Sequence, residues 1–212
     1  MRPKRKEIVW TPDLAYAVGL IVTDGNLSKD GRHFDFTSND RDLIETFKKC
    51  LGIANKVVKK KSSYTNRFSS FRIQFSDVAL YRWLANIGLM PNKSKIIGKL
   101  DIPDDYFFHF LRGHLDGDGT VRKYQDRTYP NSLRLITNFN SASLLHLQWL
   151  QATIKRLLGF AGYLRKTNGE YRLAFSKYDS IRLLDEMYPA ASVPCLFRKL
   201  VVIGEFVGIT PR

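Results

Sequence analysis

Hydrophobic and polar positions along this chain change period in an order that repeats. Thr11-Pro12-Asp13 starts a helix with a hydroxyl cap, a proline suited to the first helical position and an acid in the first turn. Ala15, Ala17, Val18, Gly19, Leu20 and Ile21 continue it as an apolar helix. Gly25 closes it, read as the left-handed residue that follows a helix. His33-Phe34-Asp35-Phe36-Thr37 then alternates with a period of two, which predicts a strand with one wet face. Residues 40–51 place Leu43, Ile44, Phe47 and Leu51 on one stripe before Gly52, an amphipathic helix. A lysine-rich strand over 56–61 and a polar loop over 64–70 come next. A strand over 71–75 turns Arg72 and Gln74 away from the core. A helix over 78–87 and a lysine-bearing loop over 88–95 end this series.

The same order then starts again. Asp101-Ile102-Pro103-Asp104-Asp105 heads a helix carrying Phe107, Phe108, Phe110, Leu111 and Leu115. A strand over 133–137 and an amphipathic helix over 143–158 ending at Gly159 follow. Residues 163–175 form a hairpin turning at Asn168-Gly169, a strong hairpin signal. A helix over 180–187, a basic loop over 193–199 and an apolar helix over 200–207 complete the chain. Phe71-Arg72-Ile73-Gln74-Phe75-Ser76 matches Tyr171-Arg172-Leu173-Ala174-Phe175-Ser176 at an offset of 100. In the first strand of each half the register is open by one residue. Two copies are too few for a solenoid and suit a pseudo-dimer fused into one chain. The prediction is an α+β fold with halves over 1–100 and 101–212, each pairing helices with an antiparallel sheet whose wet face is basic.

The repeat is sharpest in Ala17-Val18-Gly19-Leu20-Ile21-Val22-Thr23-Asp24-Gly25 and Leu111-Arg112-Gly113-His114-Leu115-Asp116-Gly117-Asp118-Gly119. A glycine inside a helix costs roughly 1 kcal/mol relative to alanine, so Gly19 and Gly113 imply that another backbone comes close. An acid at a helix C-terminus meets the negative end of the macrodipole. Two such ends brought together would attract a divalent cation. Asp116-Gly117-Asp118-Gly119 is not an EF-hand loop, because Val121 and Arg127 stand where that loop needs glycine and glutamate. The four histidines, His33, His109, His114 and His146, show no paired ligand spacing, and His114 reads as a packing or near-site residue.

The chain has 212 residues and a formal charge of +14, which points to a polyanion, nucleic acid first. No apolar run approaches the ~20 residues of a membrane span, and the basic start Met1-Arg2-Pro3-Lys4-Arg5-Lys6 has no apolar segment behind it, so no secretory signal is read there. Cys50 and Cys195 read as buried thiols of a reducing compartment. The expected location is cytoplasmic, beside the nucleoid, or an organellar matrix.

The two motifs, the element order and the basic strand faces resemble the LAGLIDADG homing endonucleases in their monomeric, two-motif form, over nearly the whole chain. That resemblance implies two αββαββα repeats joined through packed motif helices, with saddle-shaped sheets straddling double-stranded DNA. It implies a site-specific endonuclease acting on a long, nearly asymmetric target and leaving 3′ overhangs. Asp24 and Asp118, the acids before the motif glycines, would hold Mg2+ together with backbone carbonyls near Thr23 and Gly117. Mn2+ would substitute, and Ca2+ would bind without supporting cleavage. Lys93 and Lys199 would act as supporting bases, with Arg198 an alternative to Lys199; a solvated surface lysine is the plainer reading of each. Asp116, with Val22 at its place in the first motif, would cap or hydrogen-bond locally.

The candidate DNA-contacting residues are His33, Asp35, Lys59, Lys61, Arg72 and Gln74 in the first half, and Arg122, Lys123, Arg134, Arg165, Lys166 and Arg172 in the second. Arginine and glutamine on a two-stranded ribbon suit base edges in the major groove. The same fold also serves DNA-binding regulators and maturases of group I intron RNA. No leading Cys or Ser and no closing His-Asn marks an intein boundary, so a free-standing or excised unit is expected.

Overall fold

The computed structural model describes residues 7–61 and 68–210; the basic start at 1–6 and residues 64–67 of the polar loop lie outside them. Helix α1 (Pro12–Thr23) begins as its sequence dictates: Thr11 Oγ1 accepts the Leu14 N–H at 3.1 Å with Pro12 behind it. Every residue from Leu14 to Val22 is buried, because α1 packs along α4 (Asp104–Asp118) through the centre of the molecule. The reason for the two motif glycines is then geometric. A Cβ on Gly19 would lie 2.2 Å from the Phe110 carbonyl oxygen, and one on Gly113 2.0 Å from that of Tyr16.

Each motif helix feeds a four-stranded antiparallel sheet. The first consists of β1 (Gly25–Leu27), β2 (His33–Ser38), β3 (Val58–Lys61) and β4 (Phe68–Ser76) in the order β1-β2-β4-β3. The second repeats that order as β5-β6-β8-β7, from β5 (Thr120–Gln125), β6 (Leu133–Ser141), β7 (Tyr163–Lys166) and β8 (Tyr171–Phe175). Helices α2 (Arg41–Leu51) and α3 (Val78–Asn86) belong to the first half, and α5 (Leu144–Leu158), α6 (Lys177–Met187) and α7 (Phe197–Val207) to the second. The chain is thus two αββαββα repeats of an α+β fold, with α7 added at the end. Phe34, Phe36, Ile73 and Phe75 on one face of the first sheet, and Leu135, Phe139, Leu173 and Phe175 on the second, join a single buried cluster with the motif helices.

Several sequence expectations change in detail. Gly25 and Gly119 are not left-handed: they open or precede the following strands, and a Cβ there would meet the backbone of Ile21 or Leu115 at 2.7 Å. Close approach, not backbone freedom, calls for these glycines. The left-handed caps are Gly52, Gly159 and Gly208, with φ +63°, +82° and +72°. Strands β1 and β5 emerge directly from the motif helices; β1 is only three residues long, and β5 shows no two-residue period. β4 starts at Phe68, inside the expected polar loop, and β6 runs on to Ser141. The hairpin joining β7 and β8 forms with the Thr167 N–H on the Glu170 carbonyl at 2.8 Å. Only Gly169 there takes positive φ, so the Asn-Gly pair does not adopt the turn with two left-handed residues. The last two helices begin at Lys177 and Phe197, three residues before the expected starts.

Candidate nuclease centre and nucleic-acid interface

Asp24 caps the C-terminus of α1 and Asp118 is the last residue of α4, so helix packing delivers both acids to one end of the helix pair. A Cβ on Gly117 would come within 1.9 Å of Thr23 Oγ1 and 3.0 Å of Asp24 Oδ2. The Asp24 carboxylate therefore lies against the backbone just before Asp118. Each acid opens onto a cleft made with its own sheet: Asp24 beside Thr37 and Ser38 in one of about 480 Å³, Asp118 beside Asn140 and Ser141 in one of about 430 Å³. Both clefts are lined by the opposite motif helix as well, through Gly117 in the first and Thr23 in the second.

Burial, and then the neighbouring Asp118 charge, raise the Asp24 carboxyl to about 7, with Lys199 and Lys93 pulling the other way. Asp118 is raised too, by burial and by Glu170. The two lysines are not surface groups. Lys93 is 6% exposed and Lys199 5%. Lys93 Nζ donates to the Gly25 carbonyl; Lys199 Nζ donates to those of Leu115, of Asp116 at 3.0 Å and of Gly119 at 2.8 Å. Each ammonium thus sits on carbonyls at the C-terminal end of a motif helix, where the macrodipole favours a cation, and neither touches the carbonyl of Thr23 or Gly117. Burial pulls both lysines down to about 8, against the attraction of the surrounding acids. Arg198 is turned outward and pairs with Asp40 at 3.0 Å.

Asp116 does not act locally. Its buried carboxylate accepts from Tyr16 Oη at 2.8 Å, Tyr188 Oη at 3.3 Å and the Leu196 N–H at 2.7 Å. These partners come from α1, from the end of α6 and from the cap of α7. Arg112, one turn earlier and fully buried, donates to the carbonyls of Pro194 and Met187, with its guanidinium 5.5 Å from the Tyr16 ring. Together they fasten the 187–196 connection to the helix pair and so place α7, which carries Lys199. Asp116→Ala would leave these donors unpaired beside a buried guanidinium. A loss of about 3–5 kcal/mol is expected, read as the shift in a denaturant midpoint; Tyr16→Phe, which removes one hydroxyl, should cost far less.

The register sorts the candidate DNA-contacting residues by face. Asp35 pairs with Gln74, Thr37 with Arg72 and His33 with Ser76, all opposite the core face. Arg122, Arg134, Arg165 and Arg172 share the corresponding face of the second sheet. Lys59 pairs with Phe71, Lys123 with Leu135 and Lys166 with Tyr171, so these three lysines stand on the helix-packed faces. A one-residue step along a strand reverses the face, and Lys123 instead meets Glu205 of α7. A bulge between Lys60 and Lys61 carries Lys61 opposite Phe68, on the open face. Several of these side chains are already engaged: Arg72 with Asp35, Arg134 with Asp126 at 2.7 Å, and His33 with Asp30.

Sequence reading missed four residues that matter here. Tyr16 and Tyr188 carry no motif signal, and Arg112, though inside the second motif, has Val18 at its place in the first, so the repeat gives it no role. Asn140, whose Nδ2 donates to the Asp118 carbonyl at 2.8 Å while its Oδ1 accepts from Arg172 Nε at 2.9 Å, lies beyond the alternating stretch 133–137. His114 is a packing residue, stacked on His146 at 5.2 Å on the wall of the Asp118 cleft. Cys50 and Cys195 are half-buried free thiols. Among the described residues no three His, Cys, Asp or Glu side chains cluster as a metal site, and no helix is long and apolar enough to cross a membrane.

No family model matches the chain. An A-type ATP synthase component of Methanopyrus kandleri is 24% identical over 175 residues, which span 82% of this chain but only 16% of that protein. Solved structures resemble it over nearly its whole length. The homing endonuclease I-WcaI bound to its DNA recognition sequence has a TM-score of 0.62 at 13% identity, covering 98% of this chain and 90% of that one. The LAGLIDADG meganuclease I-AabMI bound to uncleaved DNA gives 0.59 at 15%, covering 94% and 90%. The N-terminal LAGLIDADG domain of DUF199/WhiA gives 0.55 at 14%, covering 92% and 88%. At these identities the likeness is one of fold. Two motif helices packed through Gly19 and Gly113, each leading into a sheet of the same strand order, give this chain the fold of the LAGLIDADG proteins, with both motifs in one chain.

Proposed function

We propose that this protein is a divalent-metal-dependent endonuclease that cuts both strands of a specific double-stranded DNA site. The observation that carries this reading is the pair of acids at the tips of the packed motif helices, Asp24 half-buried and Asp118 more exposed, each facing a cleft, with the buried lysines Lys93 and Lys199 at the same helix ends. The donor set fits an oxygen-seeking cation. Two carboxylates are raised by burial and by neighbouring negative charge, and the Cβ-free backbone at Gly117 lets the Asp24 carboxylate lie against the other motif helix. Asp24 and Asp118 would hold Mg2+, with backbone carbonyls near Thr23 and Gly117, water and phosphate oxygens completing its shell. Mn2+ would replace it, and Ca2+ would bind without turnover. Bound there, the metal supplies Lewis-acid stabilisation of the phosphate and a more acidic water.

The chain's own residues do the rest. The open sheet faces hold the duplex, and Arg122, Arg165, Arg172 and Lys61 offer charge to it. Lys93 and Lys199 bring positive charge to the scissile phosphates, and at about 8 each can exchange a proton near neutral pH. In each half, water adds in line to phosphorus as the bond to O3′ breaks. One acid and one lysine per half assign one strand to each half. The divergence of the halves implies a long target with little symmetry.

The likeness to DUF199/WhiA favours a second reading on the same fold, sequence-specific binding without cutting. A randomised duplex library separates the two. Incubation with Mg2+ should release cut molecules sharing one sequence, and incubation with Ca2+ should enrich the same sequence uncut. Enrichment without cutting in either metal would establish the second reading. Affinity for the enriched site should fall by about 10³–10⁵ between 50 and 200 mM salt if six to ten phosphates are contacted; a flat response would remove the DNA reading altogether.

A further inference from the structure

The two sheets present different chemistry at equivalent positions. Asp35 pairs with Gln74 in the first, as Asn138 pairs with Ala174 in the second. That register makes His33 equivalent to Ile136 and Gln74 equivalent to Ala174. Two polar groups able to read base edges are thus replaced by an isoleucine and an alanine. Tyr163, beside Ala174, is 70% exposed, and Tyr124, beside Arg134, is 45% exposed. These four apolar and aromatic side chains line one open cleft of about 470 Å³. Arg122 and Arg165 stand on the same face, opposite Ile136 and Arg172. A shallow apolar floor rimmed by Arg165, Lys177 and the Arg134–Asp126 ion pair suits a polyanion whose grooves carry small apolar groups, and the major groove displays one, the pyrimidine 5-methyl.

Resting on the DNA-binding reading above, we propose that the second sheet selects its half-site through pyrimidine 5-methyl groups, with Ile136, Ala174, Tyr124 and Tyr163 as the specificity-determining residues. The first sheet, with His33, Asp35, Arg72 and Gln74, reads hydrogen-bonding edges instead. The methyl group belongs to thymine or to 5-methylcytosine, and the chemistry of the floor is the same for either.

The test starts from the sequence enriched by wild-type protein in Ca2+, with thymines replaced by uracil one half-site at a time. Affinity should fall about fourfold for each contacted methyl, the worth of one buried carbon, and only in one half-site. Replacing a cytosine at the same position by 5-methylcytosine distinguishes the two sources. Binding restored by 5-methylcytosine in place of the thymine shows that the methyl alone is read; no restoration shows that thymine itself is recognised, and both support the floor. The variant Ile136→Asn/Ala174→Gln should lose the uracil penalty in that half-site while binding the uracil duplex within a few-fold of wild type. Equal uracil penalties in both half-sites, none in either, or a penalty that persists in the double variant would overturn the proposal. A library yielding no enriched sequence would instead refute DNA recognition itself.

Discussion

Asp24→Asn and Asp118→Asn should each abolish double-strand cleavage, lowering the rate by about three orders of magnitude, roughly 4 kcal/mol of transition-state stabilisation. Specific binding in Ca2+-free buffer should stay close to wild type. An amide keeps the shape of the carboxylate and discards the charge that would hold the proposed cation. The same change should raise thermal stability in the absence of metal. The Asp24 carboxyl stands at about 7 in the folded protein against an ordinary value of 3.8. A raised acid binds its proton more tightly folded than unfolded, so stability falls as pH rises from about 4 to about 7 and stays low above that. The accumulated penalty is roughly 4 kcal/mol at most, reduced by solvent at this partly open site. Asp24→Asn should therefore be more stable than wild type at pH 8 and similar near pH 4. Mg2+ at a hundred times its dissociation constant should return about 2.7 kcal/mol to wild type and nothing to the variant. Thermal melts at the two pH values, with and without Mg2+, measure all of this. A variant less stable than wild type at pH 8 would mean that the acid is structural.

Gly19→Ala and Gly113→Ala should be among the most damaging single-methyl changes in the molecule. The added carbon would sit 2.2 Å from the Phe110 carbonyl oxygen in the first case and 2.0 Å from that of Tyr16 in the second. These are backbone atoms of a facing helix, so no side chain can turn aside to make room. The helices must separate, opening the best-packed contact of the core, and overpacking of this kind costs 1–3 kcal/mol or more. We expect the upper end or beyond, about 3 kcal/mol, a fall of roughly 6–12 °C in Tm for a chain of this size. Alanine's better helix propensity offsets only about 1 kcal/mol of this. Separation of the helices would also move Asp24 away from Gly117, so residual cleavage should drop more than residual folding does. Gly52→Ala, at a left-handed cap with open space around it, serves as the control; its cost arises from backbone conformation alone and should leave cleavage by the folded fraction intact.

The arrangement explains why the molecule tolerates two repelling acids. A carboxylate at the end of a helix meets the negative end of a dipole, and a second one nearby adds repulsion. Lys93 and Lys199 answer this by seating their ammonium groups on the carbonyls around those same ends. The two halves solve the problem unequally. Lys199 is held by three carbonyls and by a helix whose cap is pinned to Asp116; Lys93 sits in a short 3-10 turn and holds one.

Much of this protein is determined by local sequence. The two motifs, their glycines, the strand alternation over 71–75 and 171–175 and the caps at Thr11, Gly52 and Gly159 act between residues near in the chain, so period and spacing reveal them. The pairing of α1 with α4 joins distant residues yet is legible for another reason: two helices lacking side chains at one position each announce a shared contact. What only the tertiary structure decided lies between distant residues. Asp116 resembles Asp118 by spacing, yet its partners stand 72 to 100 residues away in sequence, and no local pattern marks Tyr16 or Tyr188 as theirs. The faces taken by Lys59, Lys123 and Lys166 depend on register, where one residue reverses everything. The edge strands β1 and β5 lie where the motif helices deliver them: β1 is too short for a period to be read, and β5 does not alternate. The burial of Lys93 and Lys199 follows from where the helix ends fall, since a charge leaves water only when the fold brings acceptors to meet it.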